Sequence, residues 1–368
     1  MSEATQSPDS VEGRRRRLLF RLRRATRVLE QRERLQDAGL GLLAAALALS
    51  LPAQQPLTTG TEALVRLSGE TVMTQGLLFP IGRGVTEVAP GTSPEEAMRL
   101  LAGISFGVAI AFTLAFLRNL GFRRTATVPA TFAAFATPYA WLGGTSPADY
   151  APGMLGASLI LWSLFHQEQT TRRGYHWRAI LYFGLAYMLH MEIVLLVPAV
   201  AWAVSRHPKY RKEAPINFMA VFVVLTMSIA IGLSGSSESE RMEHLAERAL
   251  AGANDYGFHA LGRWAMALPI GLASVLFGVY QLLFARRIES AKRAPAWIVP
   301  WCLAALAPVI AGSPSFAPIA PYLVPAGALG IADWLNRRGT AAREMRFGGA
   351  LILAQVAMTL AALTWSYQ

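Results

Sequence analysis

The chain has 368 residues, of which 53% are hydrophobic and 15% charged, and its formal net charge is +11. Many apolar runs approach the roughly 20 residues that cross the hydrocarbon core of a bilayer, which excludes a soluble domain with a single core. The positive charge is best explained by basic loops next to anionic lipid, so we expect membrane lipids and no nucleic acid among the partners.

The chain begins with a basic amphipathic segment. Ten arginines precede residue 37, and Leu18, Leu22 and Leu29 recur among them. We therefore predict that residues 1–37 lie on the inner membrane face and that residues 38–368 form the membrane domain. A signal peptide is the alternative for residues 1–53, but the leader is long and highly charged for one, which favours an anchor.

The predicted fold class is all-α, a polytopic membrane protein with about nine full spans plus a short helical hairpin at 178–204. The spans are expected near residues 38–53, 100–117, 126–142, 151–165, 216–234, 264–284, 295–312, 317–334 and 347–366. The N-terminus is then cytoplasmic, the C-terminus is outside, and segments 54–99 and 235–263 lie on the outer face. The predicted location is the inner (cytoplasmic) membrane.

The segment 54–99 contains two local signals. Pro80, Gly82 and Gly84 predict a break. Further on, Ser93 is a candidate helix N-cap, with Pro94 in the first turn and two glutamates beside the positive helix end.

The hairpin is predicted from the distribution of charge. Read as one span, the 27-residue run 178–204 would place the basic loop 205–213 opposite the basic loop 166–178, against the positive-inside bias. A break near His190 returns the chain to the side it left. With this correction, five loops at 118–124, 166–178, 205–213, 285–293 and 335–346 hold 18 Arg/Lys and 4 Asp/Glu, whereas those at 54–99, 143–150, 235–263 and 312–321 hold 6 and 11.

The candidate chemistry depends on carboxylates, because the sequence contains no metal motif, phosphate-binding glycine loop or nucleophile elbow. Glu70 and Asp149 fall on the outer face, where the adjacent membrane can raise the pKa of an acid toward that of a general base. The alternatives are a solvated acid on an interfacial helix for Glu70 and a turn or helix-cap acid for Asp149. Arg66 and Arg83 would bind an anionic phosphate or pair with nearby glutamates.

His190 and Glu192 are ionisable residues inside a predicted membrane segment, which favours a functional role. The alternative is structural: the short hairpin brings them near the inner interface, or they satisfy each other and the broken backbone.

Several short motifs resemble those of the polytopic GT-C-type glycosyltransferases, including the bacterial branch related to protein O-mannosyltransferases. They comprise Leu67-Ser68-Gly69-Glu70, similar to Asp-Ser-Gly-Glu after the first span; Phe79-Pro80-Ile81-Gly82-Arg83, similar to a Tyr-Pro-Leu stretch; Ala136-Thr137-Pro138-Tyr139-Ala140-Trp141, similar to Ser-Pro-x-x-Trp; Ala148-Asp149-Tyr150-Ala151, similar to acid–Tyr–Ala; 184–198 with His190 midway, similar to a Gly/His/Pro hairpin; and Pro321-Tyr322-Leu323-Val324-Pro325, similar to Arg-Tyr-x-Leu-Pro. The likeness spans about residues 60–330.

The resemblance implies a glycosyltransferase that takes sugar from a polyprenyl-phosphate-linked donor on the outer face of the cell envelope. Glu70 or Asp149 would be catalytic, and the expected substrate-binding residues are Arg66, Arg83, Tyr150, His190, Glu192 and Tyr322. No metal-ligating residues are assigned, and a divalent cation is left open as cofactor.

The chain departs from the family pattern at chemically important positions. Leu67 occupies the usual place of a catalytic aspartate, Pro321 replaces an arginine, and a His-Pro-Pro-Gly segment is missing before Phe79. A non-catalytic scaffold or assembly subunit is therefore the second hypothesis. A transporter or flippase using His190 and Glu192 is the third.

Overall fold

The computed structural model describes residues 30–50, 78–89, 91–145, 150–170, 174–205, 212–233, 273–284, 297–303 and 320–366. Every regular element within these residues is helical, and none is a strand. The all-α fold class is confirmed for this part of the chain.

The helices are numbered in chain order. They are α1 (30–50), α2 (Leu78–Val88), α3 (Pro94–Asn119), α4 (Arg124–Phe135), α5 (Pro138–Thr145), α6 (Tyr150–Thr170), α7 (Gly174–Leu189), α8 (Val197–Ser205), α9 (Ala214–Leu233), α10 (Ala273–Phe284), α11 (298–303), α12 (Ala320–Asn336) and α13 (Ala341–Ser366). A 3₁₀ segment, Met191–Leu196, lies between α7 and α8.

One of these helices, Glu95–Asn119, is long and apolar enough to cross a membrane by the usual criteria of length and composition. Shorter apolar helices occur at Trp177–Leu189, Ile193–Ser205, Ala214–Ser228 and Ala273–Phe284. The predicted total of about nine full spans stays a prediction.

The start of α3 is confirmed as predicted. Ser93 Oγ accepts a hydrogen bond from the Glu96 amide at 3.2 Å, and the Glu96 carboxylate accepts one from the Ser93 amide at 2.9 Å. Pro94 occupies the first turn, where its missing N–H removes no helical hydrogen bond. This reciprocal capping fixes where the long helix begins.

Two predictions about where helices are interrupted were wrong. The segment around Pro80, Gly82 and Gly84 is helical, because Pro80 falls in the first turn of α2, where proline is tolerated. The predicted span 126–142 is instead two helices, α4 and α5, interrupted at 136–137. Pro138 causes the interruption, because it lacks an N–H and disfavours the helical conformation of the residue before it.

The relative direction of α3 and α6 follows from two contacts between them. Thr113 and Ser158 hydroxyls lie 3.1 Å apart, and the Asn119 amide nitrogen lies 3.5 Å from His166 Nδ1. The later residue of α3 contacts the later residue of α6, so the two helices run in the same direction.

Helix α1 runs opposite to α3. Its Asp37 pairs with Arg118 at the end of α3, while its Leu49 carbonyl accepts a hydrogen bond from Arg99 at 3.1 Å near the start of α3. These directions agree with the alternation that the charge distribution predicts.

Two predicted basic loops meet at one end of the bundle, which we call the basic end (Asp37, Arg118, Arg123 and Glu344). Arg123 donates to the Gly339 carbonyl at 3.2 Å and pairs with the buried Glu344 at 3.4 Å. The loops 118–124 and 335–346 therefore lie at the same end of the bundle, which agrees with the prediction that both are on one side of the membrane. Burial raises the pKa of the Asp37 carboxyl, against the opposing effects of the Arg118 and Arg124 guanidinium groups.

Glycines allow two close helix crossings. A methyl group added at Gly107 of α3 would overlap the Gly41 carbonyl of α1. Likewise, one added at Gly330 of α12 would overlap the Gly278 carbonyl of α10. Small residues let apolar helices approach closely enough to gain dispersion contacts, which favours packing where no hydrophobic driving force exists.

The predicted break within residues 178–204 is confirmed. Helix α7 ends at Leu189, His190 is extended, and the 3₁₀ segment and α8 follow it. A methyl group added at Gly156 of α6 would meet both Ala186 and Ile193, which lie on either side of this break. The 178–204 segment is therefore not one straight helix, and the return of the chain to the side it left stays a prediction.

Candidate functional site

Three rings meet where three separate segments begin or turn. Tyr150 opens α6, His190 lies at the hairpin turn, and Tyr322 lies in the first turn of α12. The ring centroids of Tyr150 and His190 are 6.2 Å apart, and those of His190 and Tyr322 are 5.7 Å apart. We call these residues the ring cluster (Tyr150, His190 and Tyr322).

The backbone of His190 joins the two arms of the hairpin. Its amide donates to the Ala186 carbonyl at 2.8 Å, and its carbonyl accepts from the Ile193 amide at 3.2 Å. The residue is extended, with φ −155° and ψ 105°. The turn is thus hydrogen-bonded on both sides, as a buried non-helical backbone requires.

Gly153 provides the space for the imidazole ring. It lies one turn after the start of α6, and a methyl group there would be 2.7 Å from His190 Cδ2. Ordinary carbon contacts are about 3.5–4.0 Å, so a larger residue would displace the ring.

Tyr322 is held from the other side by α11. The Trp301 indole N–H donates to the Tyr322 carbonyl at 3.2 Å, and Trp301 is fully buried. Through Trp297, which packs against Phe165 at 5.0 Å between ring centroids, α11 is also anchored to α6.

The end of α5 supports Tyr150. A methyl group added at Gly143 would lie 3.0 Å from Tyr150 Cβ and 3.3 Å from Met154 Cε. The next residue, Gly144, is equally close to Phe106 of α3. Helix α5 is therefore fitted between α3 and the first turn of α6.

The ring cluster is enclosed by protein. His190 and Tyr322 are 0% exposed and Tyr150 is 8% exposed. Such burial suits residues that fix the positions of neighbouring segments. The cluster lies at the end of the bundle away from the basic end. On α6, His166 lies beside Asn119, which follows Arg118 of the basic end. Tyr150 precedes His166 by 16 residues, about 24 Å along a helix.

Most of the other predicted site residues lie wholly or partly outside the described structure. Arg66, Glu70 and Asp149 lie outside the described residues. Arg83 is on α2 and Glu192 is on the 3₁₀ segment, but the description covers only their backbones. That Glu70 and Asp149 share one cavity therefore stays a prediction.

The structure brings together three of the predicted substrate-binding residues, Tyr150, His190 and Tyr322. The ring cluster lies away from the basic end, and whether His190 approaches the inner interface stays a prediction. Among the described residues, no group of three or more His, Cys, Asp or Glu side chains is arranged to hold a metal ion.

Sequence reasoning missed Gly153 and Trp301. A glycine three residues after Tyr150 is a weak signal of close packing. Nothing near Trp301 in the sequence indicates that it reaches Tyr322, 21 residues away.

The comparisons with known proteins support the resemblance. The family model described as dolichyl-phosphate-mannose-protein mannosyltransferase matches residues 81–231, less than half of the chain. The match includes Tyr150 and His190 and supports a GT-C-like glycosyltransferase. That family is membrane-embedded and uses lipid-linked sugar donors in general. No curated protein and no solved structure gives a significant match.

Proposed function

We propose that the protein is a GT-C-type glycosyltransferase that moves a sugar from a polyprenyl-phosphate-linked donor to an acceptor on the outer face of the membrane. The observation that carries the proposal is the meeting of three segments, each of which resembles a family motif. One residue of each motif lies in the ring cluster: Tyr150 of 148–151, His190 of 184–198 and Tyr322 of 321–325.

The location of the ring cluster supports an outer-face reaction. It lies away from the basic end, where Arg118 and Arg123 are found. Basic loops favour the cytoplasmic side of a membrane. In that orientation the ring cluster is near the outer face, where the proposed reaction with a polyprenyl-linked donor takes place.

The proposed chemistry assigns one acid as general base. Asp149 directly precedes Tyr150 in the chain, and Glu70 precedes α2. Either carboxylate would accept the proton of the acceptor hydroxyl as it attacks the anomeric carbon. Arg66 or Arg83 would stabilise the negative charge that develops on the departing phosphate. Tyr150, His190 and Tyr322 would keep this region in place.

The test is turnover of the purified full-length protein in nanodiscs with a polyprenyl-phosphate sugar. We expect Asp149→Asn or Glu70→Gln to lower turnover by roughly 10²–10⁴-fold, because each removes a proton-accepting charge with little change in shape. Glu87→Gln is the matched control, since Glu87 is an exposed acid on α2. It should leave turnover unchanged. Full activity of both acid variants would refute this assignment.

The second candidate is a non-catalytic scaffold. The substitutions at Leu67 and Pro321 favour it, because both stand where the family has charged residues. A scaffold predicts that deleting the protein alters a surface glycan while both acid variants restore that glycan completely. Transport is less favoured: the described interruptions, near Thr137 and His190, are separated by α6 and α7 and do not lie in corresponding positions of two halves.

A further inference from the structure

The interruption between α4 and α5 leaves backbone carbonyls without helical partners. The last carbonyls of any helix lack intrahelical donors, and Pro138 has no N–H to donate to the Ala134 carbonyl. In a membrane interior such groups must be satisfied by protein. Thr137 Oγ1 satisfies the Ala134 carbonyl locally, at 3.1 Å.

Two other carbonyls at this break are satisfied by distant helices. Ser274 Oγ, at the start of α10, donates to the Ala133 carbonyl at 2.8 Å. Thr359 Oγ1, on α13, donates to the Ala136 carbonyl at 2.6 Å. These partners are 141 and 223 residues away in the chain.

Gln355 joins the two donors into one network. Its side-chain oxygen accepts from the Ser274 amide at 3.0 Å, and its side-chain nitrogen lies 3.4 Å from Thr359 Oγ1. All three side chains are buried. Buried polar networks of this kind define a single arrangement of the elements they connect, provided that each member is satisfied.

The break is coupled to the ring cluster through α5. Trp141 of α5 packs edge-on against Phe106 at 6.0 Å between ring centroids. Gly143 meets the first turn of α6 at Tyr150. Tyr150 in turn contacts His190. A change in the angle of α5 therefore reaches Tyr150 directly.

We infer that Ser274, Gln355 and Thr359 form a carbonyl clamp that sets the orientation of α5 and thereby positions Tyr150. These are positioning residues, because they act through the backbone of the 133–136 segment. The expected effect on turnover rests on the proposed glycosyltransferase function, whereas the effect on the orientation of α5 does not.

The structural arm of the test is hydrogen exchange of the full-length protein in nanodiscs without substrate. Thr359→Val keeps the shape of the side chain but removes the hydroxyl. Amide hydrogen exchange within 137–145 should therefore accelerate by roughly 3–10-fold, which corresponds to the loss of the net stabilisation of one hydrogen bond. Thr359→Ser retains the hydroxyl and should exchange as the wild type does. Thr113→Val is the matched control, since Thr113 is a buried threonine bonded to Ser158 and away from the break.

The catalytic arm measures kcat and KM for the same variants. Thr359→Val should lower kcat roughly 10-fold or more with little change in KM, because misplaced groups lose reactivity more than binding. Thr359→Ser should restore kcat. Should Thr359→Val not fold, Ser274→Ala removes the bond to Ala133 and carries the same expectations.

The outcomes separate the two claims. Unchanged exchange within 137–145 in both Thr359→Val and Ser274→Ala would overturn the clamp. Accelerated exchange with unaltered kcat would overturn the positioning role alone. Absence of turnover in the wild type, with accelerated exchange in Thr359→Val, would count against the proposed function and support the clamp.

Discussion

Replacing Gly153 by alanine should disturb the ring cluster at a single contact. The new methyl group would lie 2.7 Å from His190 Cδ2, 3.0 Å from Cγ and 3.3 Å from Nε2. Since carbon atoms ordinarily approach to about 3.5–4.0 Å, the imidazole must retreat by about 1 Å. Its path is limited by the Tyr150 and Tyr322 rings on either side.

The expected cost is moderate for stability and larger for activity. Overpacking of this kind costs about 1–3 kcal/mol, of which the better helix propensity of alanine returns about 0.5–1 kcal/mol. The net cost of about 0.5–2 kcal/mol corresponds to a fall of ~1–3 °C in the apparent melting temperature for a chain of this length. A displacement of about 1 Å near reacting groups lowers turnover by roughly 10–10²-fold.

The assay combines thermal unfolding in detergent with turnover of a polyprenyl-phosphate sugar in nanodiscs. Gly349→Ala is the matched control, because nothing lies within 4 Å of a methyl group at this helical position. If Gly153→Ala and Gly349→Ala gave the same melting temperature and the same turnover, the close contact with His190 would have no consequence and the reasoning would be refuted.

Three further predictions concern topology, packing and pH. In a variant without its native cysteine, a cysteine at 243 should react with an impermeant label from outside whereas one at 209 should not; efficient outside labelling at 209 would contradict the charge-based topology. Gly330→Ala should lower the apparent melting temperature by ~1–4 °C relative to Gly349→Ala, because its methyl group overlaps a facing backbone carbonyl; equal values would exclude a tight crossing. Because burial raises the pKa of Asp37 above its ordinary 3.8, the folded state retains that proton to higher pH, so this group makes stability fall as pH rises through that window. Asp37→Asn should remove this contribution, measured as the difference in melting temperature between variant and wild type as the pH is raised from about 4; a constant difference would contradict it.

The sequence was sufficient wherever the determining interaction is local or follows from counting charge. Ser93 and Glu96 are three residues apart, so their reciprocal hydrogen bonds could be predicted from spacing alone. A break near His190 was predicted because a reversal there keeps the basic loops on one side. The same charge argument placed the loops 118–124 and 335–346 on one side, and Arg123 contacts Gly339 and Glu344 at one end of the bundle.

The proline positions show where local reasoning fails. Pro80 and Pro138 give similar signals in the sequence, and each lies in the first turn of a helix. They differ because Pro80 falls where a break was expected, whereas α4 ends just before Pro138, where one continuous span was expected. At Pro138 the interruption also depends on hydroxyl groups of Ser274 and Thr359, which satisfy the interrupted backbone.

The sequence by itself determined the helical class, the cap of α3, the break near His190 and the common end of the loops 118–124 and 335–346, because these follow from periodicity, short-range hydrogen bonding and the sign of charge. Only the tertiary structure decided that Tyr150, His190 and Tyr322 form one cluster, that Gly153 and Trp301 support it, and that α13 stabilises the break before α5. These contacts join residues that are distant in the chain. Their existence depends on how closely the helices pack, which glycines permit at particular crossings and which no local pattern encodes.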